Sequence, residues 1–136
     1  MATILNAQSG VGLTQSADGS GIVKLQSNGV TTNALAWVNF NGTLATPITP
    51  RSAYNVSSVT KSSTGVYVIN YATALSDANY SSVVGWIPDT VNTSGIARYI
   101  TVTAQATGTI NITSGAWGSG GLALDFPQLS IAIFGN

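Results

Sequence analysis

The feature that most constrains this chain is a period of two. Tyr67, Ile69 and Tyr71 alternate with Val66, Val68 and Asn70, and Ile100, Val102 and Ala104 alternate with Tyr99, Thr101, Thr103 and Gln105. Ile110 and Ile112 repeat the pattern, and Leu129, Ile131 and Ile133 close the chain in the same way. A two-residue repeat sends successive side chains to opposite sides of an extended backbone, so these runs read as strands with one face buried and one dressed in hydroxyls. Turn-forming residues cut the runs short: Asp18-Gly19, Asn28-Gly29, Asn41-Gly42, Ser63-Thr64-Gly65, Ala106-Thr107-Gly108 and the glycine-rich run at 118–121. Residues 76–82 are the one helix-like stretch, and they read as a turn. The expected fold class is all-β, an antiparallel, jelly-roll-like β-sandwich.

The 136 residues suffice for one domain with a substantial core. Organisation changes near Thr32-Asn33. Residues 1–33 are rich in Gly, Ser and Thr and hold one short apolar group, Ile22, Val23 and Leu25. Such a segment buries little by itself, so it reads as an extended N-terminal arm or β-hairpin that makes its apolar contacts on a partner. Residues 34–136 form the β-sandwich body.

The densest apolar stretch is LAWVNFNGT at 35–43. Leu35, Trp37 and Asn39 project to one side and Ala36, Val38 and Phe40 to the other. With both sides largely apolar, the strand is expected to lie centrally or at a subunit interface, with Trp37 as buried bulk. The alternative use of Trp37 is as a platform for a sugar ring. Asn41-Gly42 is expected to supply the positive φ of a tight hairpin turn.

The chemistry available is narrow. The chain has no His, no Cys and no Glu; its four Asp and four Lys or Arg cancel to zero net charge. Charged residues make up 6% of the chain, against about 25% in ordinary domains. Nucleophilic triads lack a base, and Asp77 and Asp89, both beside turn residues, read as caps of their own turns rather than a catalytic pair. Lys61-Ser62 reads as a polar turn. No catalytic residue, metal site or cofactor is expected. Scattered cations make no nucleic-acid surface, and no run approaches the ~20 apolar residues of a membrane span. Nothing at the N-terminus resembles a secretory signal, so synthesis in a cytoplasm is expected. A neutral surface also has little repulsion between copies, which favours self-association.

AWVNFNGT at 36–43, followed by RSAYNVSSV at 51–59, the Gly65 hairpin, YVIN at 67–70 and DANY at 77–80, resembles a module that recurs in tailed-bacteriophage virion proteins, mostly at the distal ends of tail fibres. The resemblance runs from Ala36 to about Trp86. It implies a virion structural component assembled as a homotrimer, made in the host cytoplasm and without catalytic residues. Two roles follow. One is a capsid decoration or cement protein that bridges neighbouring subunits of the major capsid protein, its arm carrying Ile22, Val23 and Leu25. The other is a tail-fibre or receptor-binding tip that holds a host glycan. Read as complete from Met1, the chain has room for an arm and one body, which favours decoration. Trp117, Trp86, Tyr99 and Tyr80, aromatics placed near turns, are the candidate glycan contacts.

Overall fold

The computed structural model describes residues 26–27, 30–87, 97–117 and 121–135. Among them no helix occurs, and eleven strands follow one another: β1 (Gln26–Ser27), β2 (Val30–Thr31), β3 (Ala36–Phe40), β4 (Ser52–Tyr54), β5 (Val56–Ser63), β6 (Val66–Tyr71), β7 (Ser81–Ile87), β8 (Arg98–Gln105), β9 (Thr109–Ala116), β10 (Leu122–Ala123) and β11 (Gln128–Phe134). β1 and β2 pair as a short antiparallel ladder. Ile22, Val23 and Leu25, the apolar group of the expected arm, lie outside the described residues, as does Asp89.

The rest forms the expected antiparallel β-sandwich. One sheet has four strands in the order β4-β3-β11-β7. The other runs β5-β6-β9-β8, and β10 takes over beside the end of β9 where β6 stops. The inner face of the first sheet supplies Ala36, Val38, Phe40, Leu129, Ile131 and Ile133, and that of the second supplies Val59, Tyr67, Ile69, Ile110 and Ile112; all are buried. Phe40 meets Tyr67 across the sandwich edge-on, with ring centroids 5.3 Å apart. The chain crosses from β4 in one sheet to β5 in the other at Asn55, which adopts a φ of 53°. A short amide tolerates this left-handed conformation because it bonds locally. Here the Asn55 Nδ2 group donates to the Leu35 and Thr73 carbonyls, and its Oδ1 accepts from the Thr73 N–H.

Two turn expectations are corrected by the structure. Asn41-Gly42 does not close a tight hairpin: residues 41–51 intervene before β4, and Gly42 has no positive φ. Its glycine answers to packing instead. A Cβ there would sit 2.5 Å from the Tyr67 hydroxyl and 2.7 Å from Leu129 Cδ1. Lys61-Ser62 lies within β5, and the turn falls at Thr64-Gly65. Gly65 has a φ of 69°, and a Cβ would lie 2.3 Å from the Ser114 carbonyl oxygen, so only glycine fits. The 76–82 stretch is non-helical, as expected, and Asp77 Oδ1 accepts the Asn79 N–H at 2.6 Å.

The interior is closed at one end by a polar clamp. The Asp125 carboxylate accepts hydrogen bonds from the Tyr67 hydroxyl at 2.6 Å and the Gly65 N–H at 2.8 Å, and pairs with the Lys61 ammonium. It thereby ties β5, β6 and the lead into β11. Burial alone would raise the Asp125 pKa, but the hydrogen bonds from Lys61, Tyr67 and Gly65 outweigh it and hold the carboxyl below its usual range. Burial, reinforced by the neighbouring carboxylate, pushes the Tyr67 hydroxyl well above the usual tyrosine range.

Candidate functional site

The strand β3 is central, as its sequence implies, but it is not buried on both sides. Ala36, Val38 and Phe40 are in the core, whereas Trp37 is 36% exposed. The expectation of Trp37 as buried bulk is therefore corrected, because nothing among the described residues packs over that side of the sheet. Pairing register builds what is found there. Trp37 stands opposite Tyr54 of β4 and Ala132 of β11, and Ala132 stands opposite Val83 of β7. Tyr54, Trp37, Ala132 and Val83 thus cross the open face as one row. Opposed residues on adjacent strands have Cβ atoms about 5 Å apart, so the row is nearly continuous.

Two residues along, the same register produces a second row, Ser52, Asn39, Ser130 and Gly85. It lies roughly 7 Å from the first, the length of two residues of extended chain. The middle of both rows is small: Ala132, Ser130 and Gly85. Between the taller Trp37 and Asn39 on one side and Val83 on the other they floor a trough of about 320 Å³ with no charged residue in its lining. Gly85 keeps the floor low, since a Cβ would come within 3.1 Å of Ser130 Oγ. Ser130 Oγ donates to the Gly85 carbonyl at 3.3 Å. The Asn39 and Ser52 side chains make no hydrogen bond within the described structure, while the nearby Arg51 guanidinium is directed to the Pro127 carbonyl at 2.9 Å.

The aromatics singled out from sequence are divided between the two ends of the sandwich. Trp86, Tyr99 and Trp117 fall at one end, where β7 finishes, β8 begins and β9 finishes. Tyr99 and Trp117 pack together, centroids 5.3 Å apart, with Trp117 65% exposed. Ile87 and Leu122 are exposed at the same end. Tyr80 lies at the other end, 7% exposed, with its hydroxyl within 3.2 Å of the Ala106 and Thr109 carbonyls. It offers no ring face to a ligand. Sequence reading missed Tyr54, Asn39, Ser52 and Val83. The alternation of Ser52 and Tyr54 about Ala53 carried the signal for β4, but only the long-range register puts these residues beside Trp37.

Among the described residues no three His, Cys, Asp or Glu side chains gather to hold a metal ion, and no helix is long and apolar enough to cross a membrane. The arrangement can therefore stack, bury and hydrogen-bond; the Asp125 carboxylate is already committed to the clamp.

No family model and no curated protein sequence matches the chain. Among solved structures it is similar to one described as the phiAB6 tailspike in complex with three-repeated oligosaccharides of Acinetobacter baumannii surface polysaccharide, at 16% identity and a TM-score of 0.44. The likeness covers 72% of this chain and 19% of that one, so this chain spans about a fifth of the length of the protein it matches, and at this level the likeness bears on neither role nor ligand.

Proposed function

We propose that the chain is a structural protein of a bacteriophage virion that works by association, as a homotrimer decorating the capsid and bridging neighbouring capsid subunits. The observation that carries this reading is the apolar end of the sandwich. Trp86, Ile87, Trp117 and Leu122 are all exposed there, in a chain with only eight charges to keep copies apart. Large apolar side chains gathered on a neutral surface are characteristic of surfaces covered in an assembly. The motif series from Ala36 to Trp86 supports the virion setting. Closed symmetry makes a trimer a natural way to cover one such end per subunit.

Two measurements test it. Light scattering should return three times the 13.8 kDa chain mass, and a stable 13.8 kDa species at micromolar concentration overturns the homotrimer. Quantifying the chain against the major capsid protein in purified virions should give on the order of hundreds of copies, as for a component repeated over a symmetric shell.

A second reading, a tail-fibre tip that holds a host glycan, is favoured by a different observation: the trough beside Trp37 on the open sheet. A handful of copies per virion would place the chain there instead.

A further inference from the structure

We infer that the trough on the open face of the four-stranded sheet is a binding site for a neutral saccharide, with Trp37 as its stacking platform and Asn39 as its main hydrogen-bonding partner. The inference rests on the glycan-holding reading for the class of partner, and it adds the site, the roles and the charge of the ligand.

The lining of the trough includes Trp37, Asn39 and Ser130, and Tyr54 and Ser52 of β4 adjoin that lining on the same face. A sugar ring has an apolar face of C–H bonds and a rim of hydroxyls. It is matched by an aromatic side chain next to groups that both donate and accept hydrogen bonds. Trp37 and Tyr54 stand side by side across β3 and β4 on the open face, each a little over a third exposed. One row away lie Asn39, Ser52 and Ser130. An amide offers two donors and a carbonyl acceptor, and each hydroxyl offers both functions. The Asn39 and Ser52 side chains have no partner within the described structure, and Ser130 Oγ, which donates to Gly85, still accepts. The roughly 7 Å between rows lets one ring lie on Trp37 while its rim hydroxyls reach the Asn39 amide.

Shape and charge narrow the occupant further. A volume of about 320 Å³ is at the lower end of small-ligand sites, enough for about one or two hexose rings. The small floor residues Gly85, Ser130 and Ala132 make a channel that runs between β3 and β7 rather than a closed pocket, which suits an oligomeric chain passing across it. An anionic sugar would need a cation, and none lines the trough. The nearest candidate by sequence, Arg51, is directed to Pro127. A flat protein partner would leave the Asn39 and Ser52 groups to be matched one by one, whereas a polyhydroxylated ligand meets them from many orientations.

The test uses the whole protein, labelled with nitrogen-15, and follows the indole N–H resonances of its three tryptophans. Maltohexaose, cellohexaose, mannohexaose and chitohexaose are titrated separately to about 10 mM, which reaches the weak affinities expected of a shallow site. The expected result is that at least one shifts the Trp37 resonance saturably and leaves Trp117 unmoved. Trp37→Ala should then weaken binding about tenfold or more, as for a central aromatic anchor. Asn39→Ala, whose side chain makes no internal hydrogen bond, should weaken it about three- to tenfold, the loss of one to two hydrogen bonds. No shift of Trp37 with any of the four, a shift confined to Trp117, or binding unaffected by both substitutions overturns the site. So does a Trp37 resonance that moves on dilution alone, which would give the face to a second copy of the chain. A shift confined to Trp117 overturns the site and leaves the glycan-holding reading standing, whereas no shift of any tryptophan overturns both, so the two failures are separately visible.

Discussion

The two sheets of this sandwich share an inner chemistry and differ outside. On the outer face of the five-stranded sheet, cross-strand neighbours are Ser58, Asn70 and Thr109 in one row, and Thr60, Val68 and Asn111 in the next. Hydroxyls and amides dominate, broken by single β-branched side chains, a surface that is stable against water without a cover. On the outer face of the four-stranded sheet, register lines up Tyr54, Trp37, Ala132 and Val83 instead. The same alternation that builds one core therefore yields one finished surface and one open surface. The difference teaches that what each outer face presents depends on pairing rather than on local pattern.

The largest expected effect breaks the contrast between neighbours on β3. Phe40 is fully buried against Tyr67, so Phe40→Ala should cost about 3–5 kcal/mol through lost transfer energy and a residual cavity. Denaturant unfolding at neutral pH measures it. A loss under about 1 kcal/mol, typical of surface positions, would mean that the inner face is not packed as described.

That contrast also marks how far the sequence could be read. The alternations in β6, β9 and β11 were legible because a strand with one buried face writes its period directly into the chain, and Tyr67, Ile69, Ile110, Ile112, Leu129, Ile131 and Ile133 are all buried. The Gly65 turn was legible for the same local reason. Trp37 was not, since its exposure depends on β4 and β11 arriving beside it and on none of the described residues lying above it. Gly42 was misread because Asn-Gly is a turn signal, whereas its glycine is required by the Tyr67 hydroxyl 25 residues away. Asp125 was passed over inside an apolar run. A carboxylate between Leu124 and Phe126 is costly unless paired, and that alone could have prompted a search for Lys61.

The clamp supplies the next effect in size, and it tests whether the two sheets are held together electrostatically at that end. Asp125→Asn removes the acceptor for Lys61 and weakens those for Tyr67 and Gly65, and should cost about 1–3 kcal/mol at pH 7. The sign of the pH dependence follows from linkage. The Asp125 pKa is lowered on folding, so its contribution is present above the unfolded carboxyl value of about 3.9 and is lost as pH falls through the folded value. The Tyr67 pKa is raised, so its contribution is present below the unfolded value of about 10 and is lost as pH rises beyond it. The gap between wild type and Asp125→Asn should therefore narrow when unfolding is repeated below the unfolded carboxyl value of about 3.9. A gap of equal size at both pH values would show that the substitution acts through packing rather than charge.

The smallest stability effect sharpens the comparison of the two outer faces most directly. Trp37→Ala on the open face and Val68→Ala on the hydroxylated face both trim a partly exposed apolar side chain at the centre of a sheet. Each should cost only about 1–2 kcal/mol, since part of the removed area was never taken from water and no closed cavity is left. Their consequences for binding should nevertheless diverge. Val68 is flanked across the strands by Thr60 and Asn111 on the other sheet and does not line the trough, so its loss should leave oligosaccharide binding unchanged. Trp37 stands within the apolar row Tyr54, Trp37, Ala132 and Val83 and forms one wall of the trough, so its loss should weaken binding about tenfold or more at a similar cost in stability. Unfolding curves and the same titration, run on the two variants side by side, check both halves. Equal loss of binding in both would mean that the effect travels through general loosening of the sandwich, and the distinction between a finished and an open face would fail with it.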